Sequence, residues 1–317
     1  MKVDILLISY NQEPFIAQAV ESIMMQRVNE DIELRVIVAD DCSIDNTLEI
    51  IHQYDQKQYE KLQSIGINDE QAIAMRMLLP FVYLDTKQNL GISKNYCRAF
   101  SACDADYIAV LEGDDYWSSP YHIEQHIRFL DNHRECSMSM NTITFMKHER
   151  NEFVAPCWYW DGDVRFVDTK CQISEGNQLG NLSACVFRNS CIQALPQSLY
   201  ELSIADWMLG VMLSQQGLLA ILKESTSVYR TNENSKWAAL SSAQQKERMY
   251  AGSIAYDKFQ NGLYHAYWEI FRNKLNRKIT YKDFLPPFIF PLAKWLKKAL
   301  RYSCPPIVKK LLKRLYK

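Results

Sequence analysis

Three strand-length apolar runs constrain the fold. Lys2 to Ser9, Leu34 to Ala39 and Tyr107 to Leu111 are each long enough for a buried strand and rich in β-branched residues. Each breaks off into a polar loop: Ser9-Tyr10-Asn11-Gln12-Glu13-Pro14, then Asp40 through Thr47, then Glu112-Gly113-Asp114-Asp115-Tyr116-Trp117. Helical spacing follows the first loop (Phe15, Ile16, Ala19, Val20, Ile23) and the second (Leu48, Ile51, Tyr54), and Pro14 suits a first helical turn. Strand, polar loop, helix, repeated, is the pattern of a parallel sheet in an α/β fold. Such sheets bind ligands at the carboxyl ends of their strands. The loops 9–14, 40–47 and 112–117 are therefore expected to share one rim.

The third loop is the most demanding chemically. Glu112, Asp114 and Asp115 crowd three carboxylates around Gly113, and they repel one another unless something positive joins them. A hard divalent cation, Mg²⁺ or Mn²⁺, takes oxygen ligands and bridges to substrate phosphates. A solvated acidic turn is the plainer alternative. No Gly-x-Gly-x-x-Gly follows the first strand and no Walker loop is present, so a dinucleotide-binding dehydrogenase lacks its phosphate turn. The nine cysteines form no Cys-x-x-Cys pair, which favours reduced thiols over a disulfide framework or a zinc site.

The rest of the chain adds further elements. Residues 55–78 are polar and read as an insertion, with a helix near Asp69–Leu78. Phe81–Leu84 is a third strand candidate, and Asn89-Leu90-Gly91-Ile92-Ser93-Lys94-Asn95 opens a helix. Pro120 starts another, in which His122 and His126 lie one turn apart. Their spacing with Glu124 does not match His-Glu-x-x-His, so an exposed polar face is expected rather than zinc. Ser137–Met146 reads as a strand leading into an antiparallel portion. Cys157-Trp158-Tyr159-Trp160 offers aromatic faces for a sugar ring or for packing. Asp206 stands at a helix start, where Asp is a favoured cap, and Gly217 reads as the glycine that ends that helix.

Taken in order, Ser9-Tyr10-Asn11, Asp40-Asp41-x-Ser43-x-Asp45-x-Thr47, Asn89-x-Gly91-x-x-x-Asn95 and Glu112-Gly113-Asp114-Asp115-Tyr116-Trp117 resemble the motifs of the family-2 glycosyltransferases, of bacterial surface-glycan type. The resemblance covers about residues 1–235. It implies the GT-A fold: Rossmann-like, a mostly parallel central sheet with a small antiparallel portion. It implies transfer of a sugar from a nucleotide donor, UDP-linked, to a hydroxyl of a lipid-linked or surface-glycan acceptor in polysaccharide biosynthesis. Ser9, Tyr10, Asn11, Asp40 and Asp41 fall where the family holds the base, and Asn89, Gly91 and Lys94 form its third nucleotide-side loop. Asp45 and Thr47 read as caps. The metal, Mn²⁺ or Mg²⁺, goes to Asp114 and Asp115, with Glu112 standing where many relatives have Asp. Gly180 through Arg188 resembles the strand beside the acceptor. Asp206, followed by Trp207, falls at the family's general base, with Glu175 and Glu201 as fallbacks. One base and no apparent second nucleophile imply inversion at the anomeric carbon. Val228-Tyr229-Arg230-Thr231-Asn232 resembles a Tyr-Arg-x-His ending with Asn in place of His; Arg230 would pair with the diphosphate or an interior carboxylate.

Charge is uneven along the chain. Residues 272–317 carry 14 Lys and Arg against one acid, Asp283, a net +13, whereas the first 271 residues carry 22 basic and 36 acidic residues, a net −14. Between 288 and 317, two amphipathic stretches set Leu292, Trp295, Leu296 and Leu311, Leu312, Leu315 against Lys and Arg. That composition fits an in-plane anchor on an anionic membrane and has no nucleic-acid module. The reading divides the chain into a catalytic domain, 1–235 (nucleotide half 1–117, acceptor half 118–235), a helical extension, 236–280, and a basic membrane-associating tail, 281–317. No signal peptide is expected, since Asp4 and Asn11 interrupt the first apolar run, and no run is long enough to span a bilayer. A cytoplasmic enzyme, peripheral on the inner membrane face, follows. Two alternatives remain: a non-catalytic nucleotide-sugar-binding scaffold at the membrane, and a nucleotidyltransferase, which wants a glycine-rich phosphate loop that Ser9–Glu13 lacks.

Overall fold

The computed structural model describes residues 1–68, 71, 78–147, 152–154, 160–202, 205–231, 237 and 240–276. Contacts group the chain into residues 1–272 and 273–317. Of the second group only residues 273–276, the end of a helix, are described.

Four parallel strands form one half of the sheet: β1 (Lys2–Ser9), β2 (Glu33–Asp40), β3 (Phe81–Tyr83) and β4 (Tyr107–Glu112), in the order β3-β2-β1-β4. β1 is buried at every position after Lys2, as expected of a parallel strand covered on both faces. The helices α1 (Glu13–Met24), α2 (Thr47–Ser64) and α3 (Ile92–Ser101) supply cover. Pro14 sits in the first turn of α1, and Ile16, Ala19, Val20 and Ile23 turn inward at the predicted spacing. The other half comprises β5 (Tyr116–Trp117), β6 (Cys136–Lys147), β7 (Glu152–Val154), β8 (Val164–Val167), β9 (Cys185–Arg188) and β10 (Leu218–Thr231). β9 joins the halves, antiparallel to both β4 and β6; β10 runs parallel to β6 and antiparallel to β5 and β8. The expected mixed sheet, parallel with an antiparallel portion, is what forms.

The later helices are α4 (His122–Asn132), α5 (Thr169–Ser174), α6 (Asn189–Gln193), α7 (Ala205–Ser214), α8 (Ser242–Phe259) and α9 (His265–Asn276). No helix among the described residues is long and apolar enough to cross a membrane. The seven cysteines described are all free.

Three expectations are corrected. Residues 55–64, read as the start of an insertion, continue α2, anchored by buried Ile51 and Leu62. Gly217 is not a left-handed helix cap. A Cβ there would stand 2.8 Å from the Glu135 carbonyl oxygen and 2.9 Å from the Ser137 nitrogen, so the glycine permits close approach of two backbones. His122 and His126 do not face solvent: both are fully buried, with Nδ1 2.8 Å from Thr226 Oγ1 and from Ser139 Oγ respectively. His122 also stacks on Trp117, ring centroids 4.5 Å apart. Polar residues thus occupy the inward face of α4, where hydroxyls of β6 and β10 receive them. The segments Cys157-Trp158-Tyr159, Asn232 and the 281–317 tail, and most of the Asp69–Leu78 helix, lie outside the described residues.

Burial drives both histidines toward the neutral form, lowering His126 to about 4 and His122 well below its usual value. Unfolded histidine, near 6.5, binds protons that the folded chain refuses, so stability is lost as pH falls from 6.5 toward 4. His126 alone contributes on the order of 3 kcal/mol to that loss. Denaturant unfolding of wild type and of His122→Gln/His126→Gln between pH 4 and 7 should show a shallower decline in the variant; parallel profiles would refute the assignment.

Candidate active site

Ser9, Asp40 and Glu112 close β1, β2 and β4 side by side: Ser9 pairs in register with Asp40, and Ile8 with Glu112. The predicted common rim exists. Its first two loops are stitched together. Asp40 accepts from Ser9 Oγ (2.8 Å), Ser43 Oγ (2.6 Å) and the Ser43 N–H (2.7 Å). Ser43 Oγ in turn accepts from the Asn11 N–H, and Asn11 Oδ1 accepts from the Ile44 N–H. Asp45 and Thr47 are not the expected caps: the N-cap of α2 is Asn46, without a side-chain cap bond, while Asp45 accepts from the Thr47 N–H, Thr47 Oγ1 and the Glu13 N–H, tying the two loops. Tyr10 is left 43% exposed at the lip, an available aromatic face.

Asp41 holds the third loop. Its two carboxylate oxygens accept the N–H groups of Leu90 (2.8 Å) and Gly91 (2.9 Å). Gly91 has φ +80° with open space where a side chain would be, so the turn needs glycine for its backbone alone. Asn89 donates to the Asp41 carbonyl (3.2 Å), and Lys94 is exposed. Both Asp40 and Asp41 therefore organise loops. Behind them lies Arg98, which donates to the carbonyls of Asp40, Leu84 and Asp85 and to Asn95 Oδ1.

The acidic turn separates its three carboxylates into different environments. Asp115 is fully buried; its Oδ2 accepts from Ser183 Oγ (2.6 Å) and Asn181 Nδ2 (2.8 Å), and its Oδ1 accepts the Arg230 N–H (2.9 Å). Burial and then the charge of Asp114 raise it to about 7. Glu112 accepts from Tyr96 Oη (2.9 Å), and burial, then Asp115 and Asp114, push it up to about 8. Asp114 is raised by burial, and no side-chain donor among the described residues reaches its carboxylate. Gly113 is packed against Gln12, whose Oε1 would lie 2.3 Å from a Cβ there.

Arg230 is 3% exposed; it forms no salt bridge with a carboxylate among the described residues, but the charges of Asp115 and Asp114 favour its ionised form. Nη1 donates to the Asp114 carbonyl (2.8 Å), Nη2 donates to Gln18 Oε1, and the guanidinium lies over the rings of Tyr116 and Phe15. It braces the acidic turn through the backbone.

Asp206 stands in the first turn of α7. Asn177 Nδ2 donates to its Oδ2 (3.0 Å), and burial raises its pKa above the usual carboxylate value. It faces the same interior as the acidic turn: burial, Glu112 and Asp206 together push the Cys185 thiol well up. Of the fallback bases, Glu175 is tied to Arg165 (2.6 Å) and Glu201 is exposed. Among the described residues no cluster of three or more His, Cys, Asp or Glu is arranged to hold a metal ion.

Residues 4–156 match the model of "Glycosyl transferase family 2". This segment belongs to that family. A Mycobacterium tuberculosis protein of uncharacterized function, Rv1520, is 28% identical over 236 residues, 74% of this chain and 60% of its own length. The chain thus spans 60% of that relative. TuaG of Bacillus subtilis, described as a teichuronic acid biosynthesis glycosyltransferase, is 26% identical over 147 residues, 46% of this chain and 48% of TuaG. Among solved structures, Staphylococcus aureus TarS 1–349 in complex with UDP-GlcNAc superposes with a TM-score of 0.60 at 18% identity, covering 87% of this chain and 72% of that one. The Pyrobaculum calidifontis mannosyltransferase PcManGT, in complex with GDP-Man and Mn²⁺, gives 0.54 at 12% identity, covering 99% and 79%. The fold is the GT-A fold.

Several working residues escaped the sequence reading. Arg98 lies one turn beyond Asn95 on α3, a polar pair facing the sheet, and that spacing was a readable signal. Asn177 and Gln12 gave none, because only tertiary structure brings them to the site.

Asp115→Asn should be less stable than Asp114→Asn by about 1–3 kcal/mol, since an amide cannot accept from all three donors that Asp115 serves. Asp114→Asn should raise stability by removing a charge that burial disfavours. Chemical denaturation of the two variants checks this; equal effects would contradict the division of labour.

Proposed function

We propose that this chain is a metal-dependent, inverting glycosyltransferase that moves a sugar from a nucleotide donor, UDP-linked, to a hydroxyl of a lipid-linked or surface-glycan acceptor. The observation that carries the reading is the placement of Asp114 and Asp206. Burial raises both carboxylates; Asp206 acts through its charge on Glu112 of the acidic turn, and Arg230 acts through its charge on Asp114 without a salt bridge among the described residues. The family match and the UDP-GlcNAc and GDP-Man complexes of TarS and PcManGT support the donor class.

Tyr10 offers a stacking face for the base. Ser9, Asn11, Asp40, Asp41, Asn89, Gly91 and Lys94 build and line the loops around it. Asp114 is the carboxylate suited to a divalent ion, Mn²⁺ or Mg²⁺; its donor set fits an ion that one or two protein carboxylates share with substrate phosphates. Asp115, first grouped with it as a ligand, takes the supporting part through Ser183, Asn181 and Arg230. When bound, such an ion supplies charge neutralisation at the departing diphosphate. Asp206 accepts the proton of the acceptor hydroxyl as its oxygen bonds to the anomeric carbon, while the bond to the diphosphate oxygen breaks and the nucleoside diphosphate leaves with the electron pair. One displacement inverts the anomeric configuration.

TuaG, described for teichuronic acid biosynthesis, motivates a bacterial surface-glycan acceptor, and the +13 charge of residues 272–317 motivates its delivery at a membrane. Residues 1–235 would form the catalytic domain, 236–280 a helical extension and 281–317 a basic tail lying on the cytoplasmic face.

Purified protein should release nucleoside diphosphate from one of UDP-GlcNAc, UDP-glucose, UDP-galactose or GDP-mannose only with Mn²⁺ or Mg²⁺, and chelation should abolish release. Asp206→Asn should reduce turnover by about 100-fold or more. The wild-type rate should rise with pH through a midpoint above the ordinary aspartate value, following the raised Asp206. Full activity in Asp206→Asn would remove it as the base. Separately, truncation after residue 280 should shift the protein from the membrane to the soluble fraction of a bacterial lysate; an unchanged membrane fraction would refute the anchor.

A further inference from the structure

The proposed base is held from behind by a part of the chain that the family match, residues 4–156, does not reach. Trp207, next to Asp206, is 2% exposed and stands at the centre of an aromatic cluster. Its ring meets Phe271 (centroids 4.6 Å), Trp268 (5.3 Å) and Tyr256 (5.6 Å), all edge-on. Tyr256 lies on α8; Trp268 and Phe271 lie on α9. Trp207 Nε1 also donates to the Gln172 carbonyl of α5 (3.1 Å), fixing the indole's angle.

Phe271 reaches the base by a second route. A Cβ on Gly176 would stand 3.2 Å from Phe271 Cε2, so the ring lies directly over that glycine, whose φ of +94° turns the chain. The next residue is Asn177, which donates to Asp206 Oδ2. One phenyl ring thus backs both the residue that follows the base and the loop carrying the amide that orients it. Edge-on aromatic contacts favour particular geometries beyond the area they bury, and a packed interior transmits small displacements.

We propose that Phe271 is a positioning residue for the transfer reaction: through Trp207 and Asn177 it sets the orientation of the Asp206 carboxylate, making α8–α9 a working part of the active site. This inference rests on Asp206 being the base. Phe271→Ala leaves space beside Trp207 and above Gly176. It frees the Asn177 loop and lets water approach Asp206, without touching the nucleotide-side loops.

The test compares wild type, Asp206→Asn, Phe271→Ala and Phe271→Leu. The assay is Mn²⁺-dependent nucleoside diphosphate release from whichever of UDP-GlcNAc, UDP-glucose, UDP-galactose or GDP-mannose turns over fastest. Carboxyl ¹³C titration of Asp206 accompanies it and needs no donor. Phe271→Ala should lower kcat about 10-fold or more with the donor KM within about twofold, since orientation enters the transition state rather than donor binding. Its Asp206 titration should move down toward the ordinary aspartate range, and Phe271→Leu, which restores bulk, should recover most of both. A wild-type kcat and an unmoved titration in folded Phe271→Ala, with Asp206→Asn inactive, overturn the positioning role and leave the base standing. Full activity in Asp206→Asn overturns the base and this inference with it. Equal losses in kcat and melting temperature, unrescued by leucine and with the titration unmoved, mark Phe271 as a packing residue only and also overturn the inference.

Discussion

A carboxylate sealed from water needs donors for its lone pairs, and the buried Asp115 finds them on two distant parts of the chain. Asn181 and Ser183 lie 66 and 68 residues away, and the Arg230 backbone 115 residues away. The turn that ends β4, the short helical turn before β9 and the end of β10 are fastened to one side chain. Ser183 Oγ serves twice, donating to Asp115 and accepting the Glu112 N–H (3.0 Å), and its carbonyl accepts the Trp117 indole (2.8 Å). In the proposed reading, Asp114 is the carboxylate left for a cation, since Asp115 gives its oxygens to protein donors.

The same logic runs through the nucleotide side. Asp40 and Asp41 spend their oxygens on Ser9, Ser43, Leu90 and Gly91, and Arg98 secures the carbonyls behind them. The carboxylates set loop shape, and the groups left to meet a ligand are the exposed ones, above all Tyr10. Loops fastened this way need less ordering to meet a ligand.

Much of this was legible in the residues. Continuous apolar runs placed β1, β2 and β4, period-3.6 spacing placed α1 and α2, and the break of each strand into a polar loop placed the rim. Which carboxylate does what was not legible, since Asp40, Asp41, Asp114 and Asp115 look alike until burial and donors separate them. His122 and His126 misled because polar residues on a helix normally face water. Here Thr226 and Ser139, far away in sequence, receive them inside. The aromatic support of Asp206 was equally hidden, since Phe271 meets Trp207 only after α9 folds back.

The central claim is that Asp114 receives the ion while Asp115 keeps its protein donors. A crystal structure of the chain with Mn²⁺ and UDP, located by the anomalous signal of manganese, tests it most directly. The account predicts an anomalous peak against the Asp114 carboxylate, with Asp115 still bonded to Ser183, Asn181 and the Arg230 N–H. A peak against Asp115, with those bonds broken, would contradict it.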